Sequence, residues 1–316
     1  MTSAQTYAPT SAPAIETARL GKQYRGGVRA LADVDLAVPA GTVYGLLGQN
    51  GAGKTTLIRI LLDMIRPTEG AARILGFDCQ DDGVVARSHV GYLPSSSAYY
   101  SYMTGDDLFD FVARARGVPR DAALQEDLIA RLDLNPDRAI RTLSRGNQQK
   151  VGLVAALLAR PEVVILDEPT SGLDPLMQDV VLDIVREVAA EGRTVFFSSH
   201  ILTEVERVCD HVAVLRAGRL VGAFDLAEQR RIAARTVSVR FDGPPPPASA
   251  FEGLDGARFA RVEAGRVVFE VRNGFDALVK RLAQFTVLDI DAREPTLEDF
   301  FLSLYTDAPE AAGGGA

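Results

Sequence analysis

Residues 42–56 read TVYGLLGQNGAGKTT, and no other stretch restricts the fold so tightly. Gly48-x-x-x-x-Gly53-Lys54-Thr55 has the spacing of a phosphate-binding loop (P-loop). Such a loop works in one setting. A buried strand brings the chain to the glycines and a helix opens straight after them, so that backbone N–H groups turn inward around phosphate oxygens. The apolar run 42–47 supplies the strand and residues 54–64 the helix. Lys54 is placed to neutralise the β/γ end of a nucleotide, and the Thr55 hydroxyl to ligate Mg2+. That context disfavours a glycine turn with a stray lysine.

The same strand-then-helix rhythm continues along the chain. VGYL (90–93), VVIL (163–166), TVFFSS (194–199) and HVAVL (211–215) are near-continuous apolar runs, the pattern of a parallel sheet covered on both faces. Residues 176–189 predict a helix with Leu176, Val180, Val181, Ile184, Val185 and Val188 on one face. Two helical patterns over 105–135, broken at GVP, predict a helical subdomain spanning about 95–160. Near residue 231 the composition changes. TVSVRF, a GPPPP turn, RVVFEV and TVLDID alternate like strands of an exposed sheet, with helices near 275–283 and 296–305. The expected architecture is an α/β domain over 14–230 and a small α+β domain over 231–308. Segments 1–13 and 309–316 are expected to be loose. No repeat of fixed period is present.

A formal charge of -8 and a pI near 5.1 disfavour a nucleic-acid surface. Cys79 and Cys209 are spaced for neither a metal site nor a redox pair, which fits two reduced thiols. The N-terminal residues carry no basic, apolar leader. The longest apolar run, about Val151–Ala159, is half of what a spanning helix needs, so a soluble chain is expected that works at a membrane only through a partner.

VVILDEP (163–169) ends a buried strand in two carboxylates. Asp167, at the strand tip, is positioned to hold Mg2+ opposite Thr55. Glu168, one residue further out, is positioned to polarise a water for attack on a γ-phosphate. His200 follows TVFFSS and falls at the same carboxyl edge of the sheet, where α/β ligands bind. A γ-phosphate contact is favoured for it over a purely structural role; His89 and His211 have no such context. TLSRGNQQK (142–150) is a second helix start in which Thr142 and Ser144 can cap and Gly146 permits close backbone approach.

In their order, the P-loop, LSRGNQQ (143–149), ILDEP (165–169), SGLD (171–174) and His200 resemble the nucleotide-binding subunit of ATP-binding-cassette (ABC) transporters over about residues 14–230. The resemblance implies an ATPase with ATP and Mg2+ as cofactors. It also implies two subunits packed head to tail, as a homodimer or heterodimer. Ser144 and the N–H groups around Gly146 of one subunit then close over the nucleotide of the other. Nucleotide contacts are implied at Tyr24 (stacked on adenine), Gly48, Asn50, Gly51, Ala52, Gly53, Lys54, Thr55, Thr56 and Asp174. Ser95 stands where the family has a Gln that touches Mg2+, and serine is too short to span that gap without water, so either water completes the Mg2+ coordination or catalysis is weaker and coupling runs through neighbouring residues. Arg145 replaces a usual Gly and Asn147 a usual Gln; Arg145 either reaches the partner's nucleotide or is a solvated cation. Tyr99, Tyr100 and Tyr102 fall where the family receives a short helix of the membrane subunit. The segment 293–307, REPTLEDFFLSLYTD, resembles exporters of drugs, antibiotics, polysaccharides and lipids. The implied function is ATP-driven export through a separate polytopic permease, with the chain cytoplasmic and peripheral on the inner face of the membrane. The alternative is a soluble family member acting on the ribosome or nucleic acid. It is disfavoured by the acidic charge, by the spacing of about ninety residues between Lys54 and Ser144, which leaves no room for the long coiled coil of chromosome-type members, and by the single cassette, where ribosome-type members carry two.

Overall fold

The computed structural model describes residues 12–95, 102–232, 235–272 and 275–293. The chain divides into two compact units between Leu226 and Ala227. In the first, β1 (Pro13–Gln23) and β2 (Arg29–Pro39) form an antiparallel pair. β3 (Val43–Leu47), buried at all five residues, leads into α1 (Lys54–Leu61). β4 (Glu69–Ile74) and β5 (Phe77–Asp78) complete a four-stranded sheet in the order β2-β1-β4-β5. This sheet is not visible as apolar runs. Its strands bury only some residues, and several register shifts interrupt the β1–β2 pairing.

The chain continues through α2 (Gly83–Ser88), β6 (Val90–Leu93), α3 (Gly105–Arg116), α4 (Ala122–Arg131) and α5 (Arg145–Leu157). Then follow β7 (Val163–Asp167), α6 (Pro175–Ala190), β8 (Thr194–Ser199), α7 (Leu202–Val208), β9 (His211–Arg216), β10 (Arg219–Asp225) and α8 (Leu226–Ile232). The central sheet has the order β10-β9-β3-β8-β7-β6. Its pairs are parallel except for the β9–β10 hairpin. Leu46, Ile165 and Phe196 of this sheet share one core with Ile15, Val34 and Ile74 of the first. Leu57, Ile58, Ile60 and Leu61 of α1 have no exposed surface, because α1 touches β2, β4 and β7.

Helix starts follow their caps. Thr104 and Asp107 form a capping box at α3, and Asp121 caps α4. The break at GVP is Gly117, left-handed at φ 64°, which ends α3. One helix face needs correction. In α6 the buried residues are Val181, Leu182, Ile184, Val185 and Val188, whereas Leu176 is 80% exposed. Leu176 lies in the first turn, and packing against the sheet begins a turn later.

The second unit is an antiparallel sheet in the order β12-β13-β11-β14. Its elements are β11 (Arg235–Phe241), β12 (Ala257–Glu263), β13 (Arg266–Val271), α9 (Phe275–Leu282) and β14 (Val287–Arg293). Val237, Val239, Phe241, Phe251, Phe269, Leu278 and Leu282 form its core. β12 has no clear sequence signal because only Ala257 in it is buried. The helix expected at 296–305, Tyr99 and Tyr100 lie outside the described residues. Both cysteines are free and buried. No described helix is long and apolar enough to cross a membrane.

Candidate active site

β3, β8 and β7 are adjacent and parallel, so the residues at their carboxyl ends converge. The loop after β3 is tightly specified. A Cβ on Gly48 would lie 2.5 Å from the Leu215 carbonyl oxygen, and one on Gly53 would lie 2.6 Å from that of Ala30. Gly51 and Gly53 also adopt φ 82° and 110°, open to glycine and strained for other residues. Ala52 is buried in the loop, and Asn50 is exposed on it.

Lys54, 5% exposed, points back into this loop. Its Nζ donates to the Gly48 carbonyl at 2.7 Å and lies 3.5 Å from Glu168 Oε1. The Thr55 hydroxyl donates to Asp167 Oδ2 at 3.0 Å. Ser198, on the strand between, donates from Oγ to Asp167 Oδ1 at 2.6 Å. Glu168 follows β7 with φ 53°, a conformation unusual for a residue with a side chain. Its N–H donates to the Ser198 carbonyl at 3.1 Å, and its own carbonyl accepts from Gln149 Nε2 at 3.2 Å and from the Ser171 N–H at 3.1 Å. His200 Nδ1 lies 3.2 Å from Glu168 Oε1. Lys54, Thr55, Asp167, Glu168 and His200 are therefore one connected cluster.

The cluster fits the groups expected there. Thr55 Oγ1 and Asp167 Oδ2 are adjacent hard oxygen donors, the ligand type of Mg2+. Tyr24 is 38% exposed, and its hydroxyl lies 3.4 Å from Thr56 Oγ1. Ser95 is half-buried two residues beyond β6, and among the described residues it has no hydrogen bond to Thr55 or Asp167. Nearby on β6, burial and the Asp167 charge push the Tyr92 hydroxyl up to about 12.

The second helix start is built differently. Ser144 Oγ accepts from the Asn147 N–H at 3.3 Å and caps α5, while the side chain stays exposed. Thr142 instead donates to the Ala139 carbonyl at 2.7 Å. A Cβ on Gly146 would lie 2.6 Å from the Gly172 carbonyl oxygen, so the backbones of 143–149 and 171–174 are in direct contact. Arg145 is exposed beside this helix start. Its Nη2 donates to Ser171 Oγ at 3.0 Å within the same chain. Asp174 caps α6 by accepting from the Met177 N–H at 3.0 Å. Among the described residues no hydrogen bond joins Ser144 or Asp174 to residues 48–56. Tyr102 is 83% exposed under the Arg141 guanidinium.

Sequence reasoning missed Ser198 and Gln149. The one available signal is polarity out of place: Ser198 is a hydroxyl in a buried strand, and Gln149 an amide on a buried helix face.

A phosphate loop on a central parallel strand, with an Asp-Glu pair across one neighbouring strand, defines a P-loop nucleotide-binding cassette. The chain belongs to the ABC transporter family, whose model matches residues 31–171. An uncharacterized ABC transporter ATP-binding protein of Synechocystis is 39% identical over 233 residues, covering 70% of this chain and 65% of that protein, just under two thirds of its length. The daunorubicin resistance ATP-binding protein DrrA3 of Streptomyces coeruleorubidus is 33% identical over 90% of this chain and 94% of its own length, so the likeness continues into the second unit. A solved ATP-binding subunit of an ABC transporter superposes with a TM-score of 0.63 at 32% identity, covering 69% of this chain and 92% of that one.

Proposed function

We propose that this cassette is the ATP-hydrolysing subunit of an ABC exporter, acting in pairs on a separate membrane permease. The cluster of Lys54, Thr55, Asp167, Glu168 and His200 carries the reading. In it, the backbone N–H groups of Gly48, Asn50, Gly51, Ala52 and Gly53 surround the phosphates. Lys54, now seated on a carbonyl and a carboxylate, transfers to the β/γ-phosphate oxygens. Thr56 lies beside the α-phosphate, and Tyr24 stacks on the base. Thr55 and Asp167 would hold Mg2+, which would supply charge neutralisation on the phosphates, and Ser95 is too short to take part without a bridging water. Glu168 accepts the proton of the attacking water, and His200 orients that water from 3.2 Å beyond the carboxylate.

Ser144, Gly146 and Asp174 act on the nucleotide of the second copy. Their support is the exposed helix start at Ser144, which is not bonded to its own P-loop. The export reading is supported by the daunorubicin resistance relative. A cytoplasmic position at the inner membrane face follows from it. The Glu168→Gln chain is expected to bind ATP, turn over very slowly and accumulate as an ATP-bound dimer, read by phosphate release and by size in solution. Normal turnover would remove Glu168 as the base. Purification from membranes is expected to bring down a polytopic protein, and recovery of ribosomes or DNA instead would overturn the transporter reading.

A further inference from the structure

We infer that Glu204 is a positioning residue for hydrolysis: its buried carboxylate fixes Thr170 and Ser199, and through them the alignment of His200 with Glu168. The inference rests on the proposed roles of Glu168 and His200. Glu204 projects from α7 and is 5% exposed. Its Oε1 accepts from Thr170 Oγ1 and its Oε2 from Ser199 Oγ, each at 2.6 Å, and both hydroxyl residues are 2% exposed. A carboxylate in such a place is costly unless hydrogen-bonded, and bonds to it are shorter and stronger than those between neutral groups.

The two residues it grips stand at decisive points. Ser199 immediately precedes His200. Thr170 lies two residues beyond Glu168, inside the turn that closes with the Ser171 N–H on the Glu168 carbonyl. That turn helps hold Glu168 at φ 53°, a left-handed conformation that is strained for a residue with a side chain and persists only when its surroundings enforce it. One carboxylate therefore ties the strand end carrying His200 to the turn carrying Glu168. Ser199 meets the P-loop only through its backbone, whose carbonyl accepts from the Gly48 N–H at 3.3 Å, so the side-chain ties to Glu204 can be removed with that backbone bond left in place.

The test uses the full chain, with kcat and KM for ATP measured beside equilibrium binding of a non-hydrolysable ATP analogue. Glu204→Ala is expected to lower kcat about 10- to 100-fold, the scale of a small misalignment of reacting groups. Analogue affinity should stay within about twofold. Glu204→Gln, which keeps one acceptor oxygen, should recover part of the loss. Should Glu204→Ala fail to fold, Thr170→Val and Ser199→Ala each remove one tie and should each lower kcat without weakening the analogue. Wild-type kcat in folded Glu204→Ala, or in both hydroxyl variants, overturns the inference. So does a loss of analogue affinity in step with kcat, the mark of a purely structural residue. Glu168→Gln is run alongside: an inactive Glu168→Gln beside a normal Glu204→Ala sinks this inference alone, whereas normal turnover by Glu168→Gln sinks the reading beneath it.

Discussion

Gly146 shows how a single atom decides a sign. It lies inside α5, where alanine is intrinsically favoured over glycine by about 1 kcal/mol. The new methyl carbon would meet the Gly172 carbonyl oxygen at 2.6 Å, a backbone atom with no flexible side chain to yield. Overpacking of this kind costs about 1–3 kcal/mol, so the clash outweighs the propensity gain. Gly146→Ala is expected to lower the melting temperature and to weaken ATP turnover by parting the 143–149 and 171–174 backbones. An unchanged or raised melting temperature would show that the loop moves aside freely. Gly48, Gly53, Lys54 and Asp167 were legible because their chemistry demands fixed spacing. Glu204 was not, since a lone Glu in a polar-looking helix reads as a solvated face until α7 is docked and its carboxylate is seen to be buried.

Among the elements, α3 and α4 are joined by Arg120, whose guanidinium donates to Asp106 and Asp110 at 2.5 Å each. The Arg120 hydrogen bond lowers the Asp106 pKa below the usual carboxylate value, against a smaller opposing effect of burial. A depressed carboxylate contributes stability above its unfolded pKa, near 3.9, and loses it as pH falls through the lower folded value. Asp106 is 45% exposed, so solvent screening limits the pair to about 1 kcal/mol or less. Asp106→Asn is therefore expected to lower stability modestly at pH 7 in denaturant titrations, with the gap to wild type closing below pH 4, roughly the unfolded carboxylate value. A gap independent of pH would assign the loss to packing. The pattern of elements was readable wherever burial is continuous, as in β3, β7 and β8. It failed at β1, β2 and β12, where bulges and half-buried positions blur the period of two.

On the scale of the molecule, the P-loop cluster and the Ser144 helix start are two halves of a site that one chain does not join. If each nucleotide needs the cradle of one copy and the helix start of another, damage to the two halves should complement. Lys54→Ala removes the cradle and leaves the helix start intact. Ser144→Arg blocks the helix start and leaves the cradle intact. Each chain alone is expected to be inactive, because every site in its homodimer is damaged. In a mixed dimer, both lesions fall in one site and the other site is whole. Equal mixing makes about half the dimers mixed, each with one intact site, so phosphate release should recover to about a quarter of the wild-type rate if the sites act independently. Sites completed within one chain could not be rescued in this way, and an inactive mixture that still forms mixed dimers would reject the two-chain arrangement. The same measurement settles the part of Arg145, which is held on Ser171 beside that helix start. Arg145→Gly lowers the rescued rate more in the Lys54→Ala chain than in the Ser144→Arg chain if the guanidinium acts across the interface, and equally in both if it only holds Ser171.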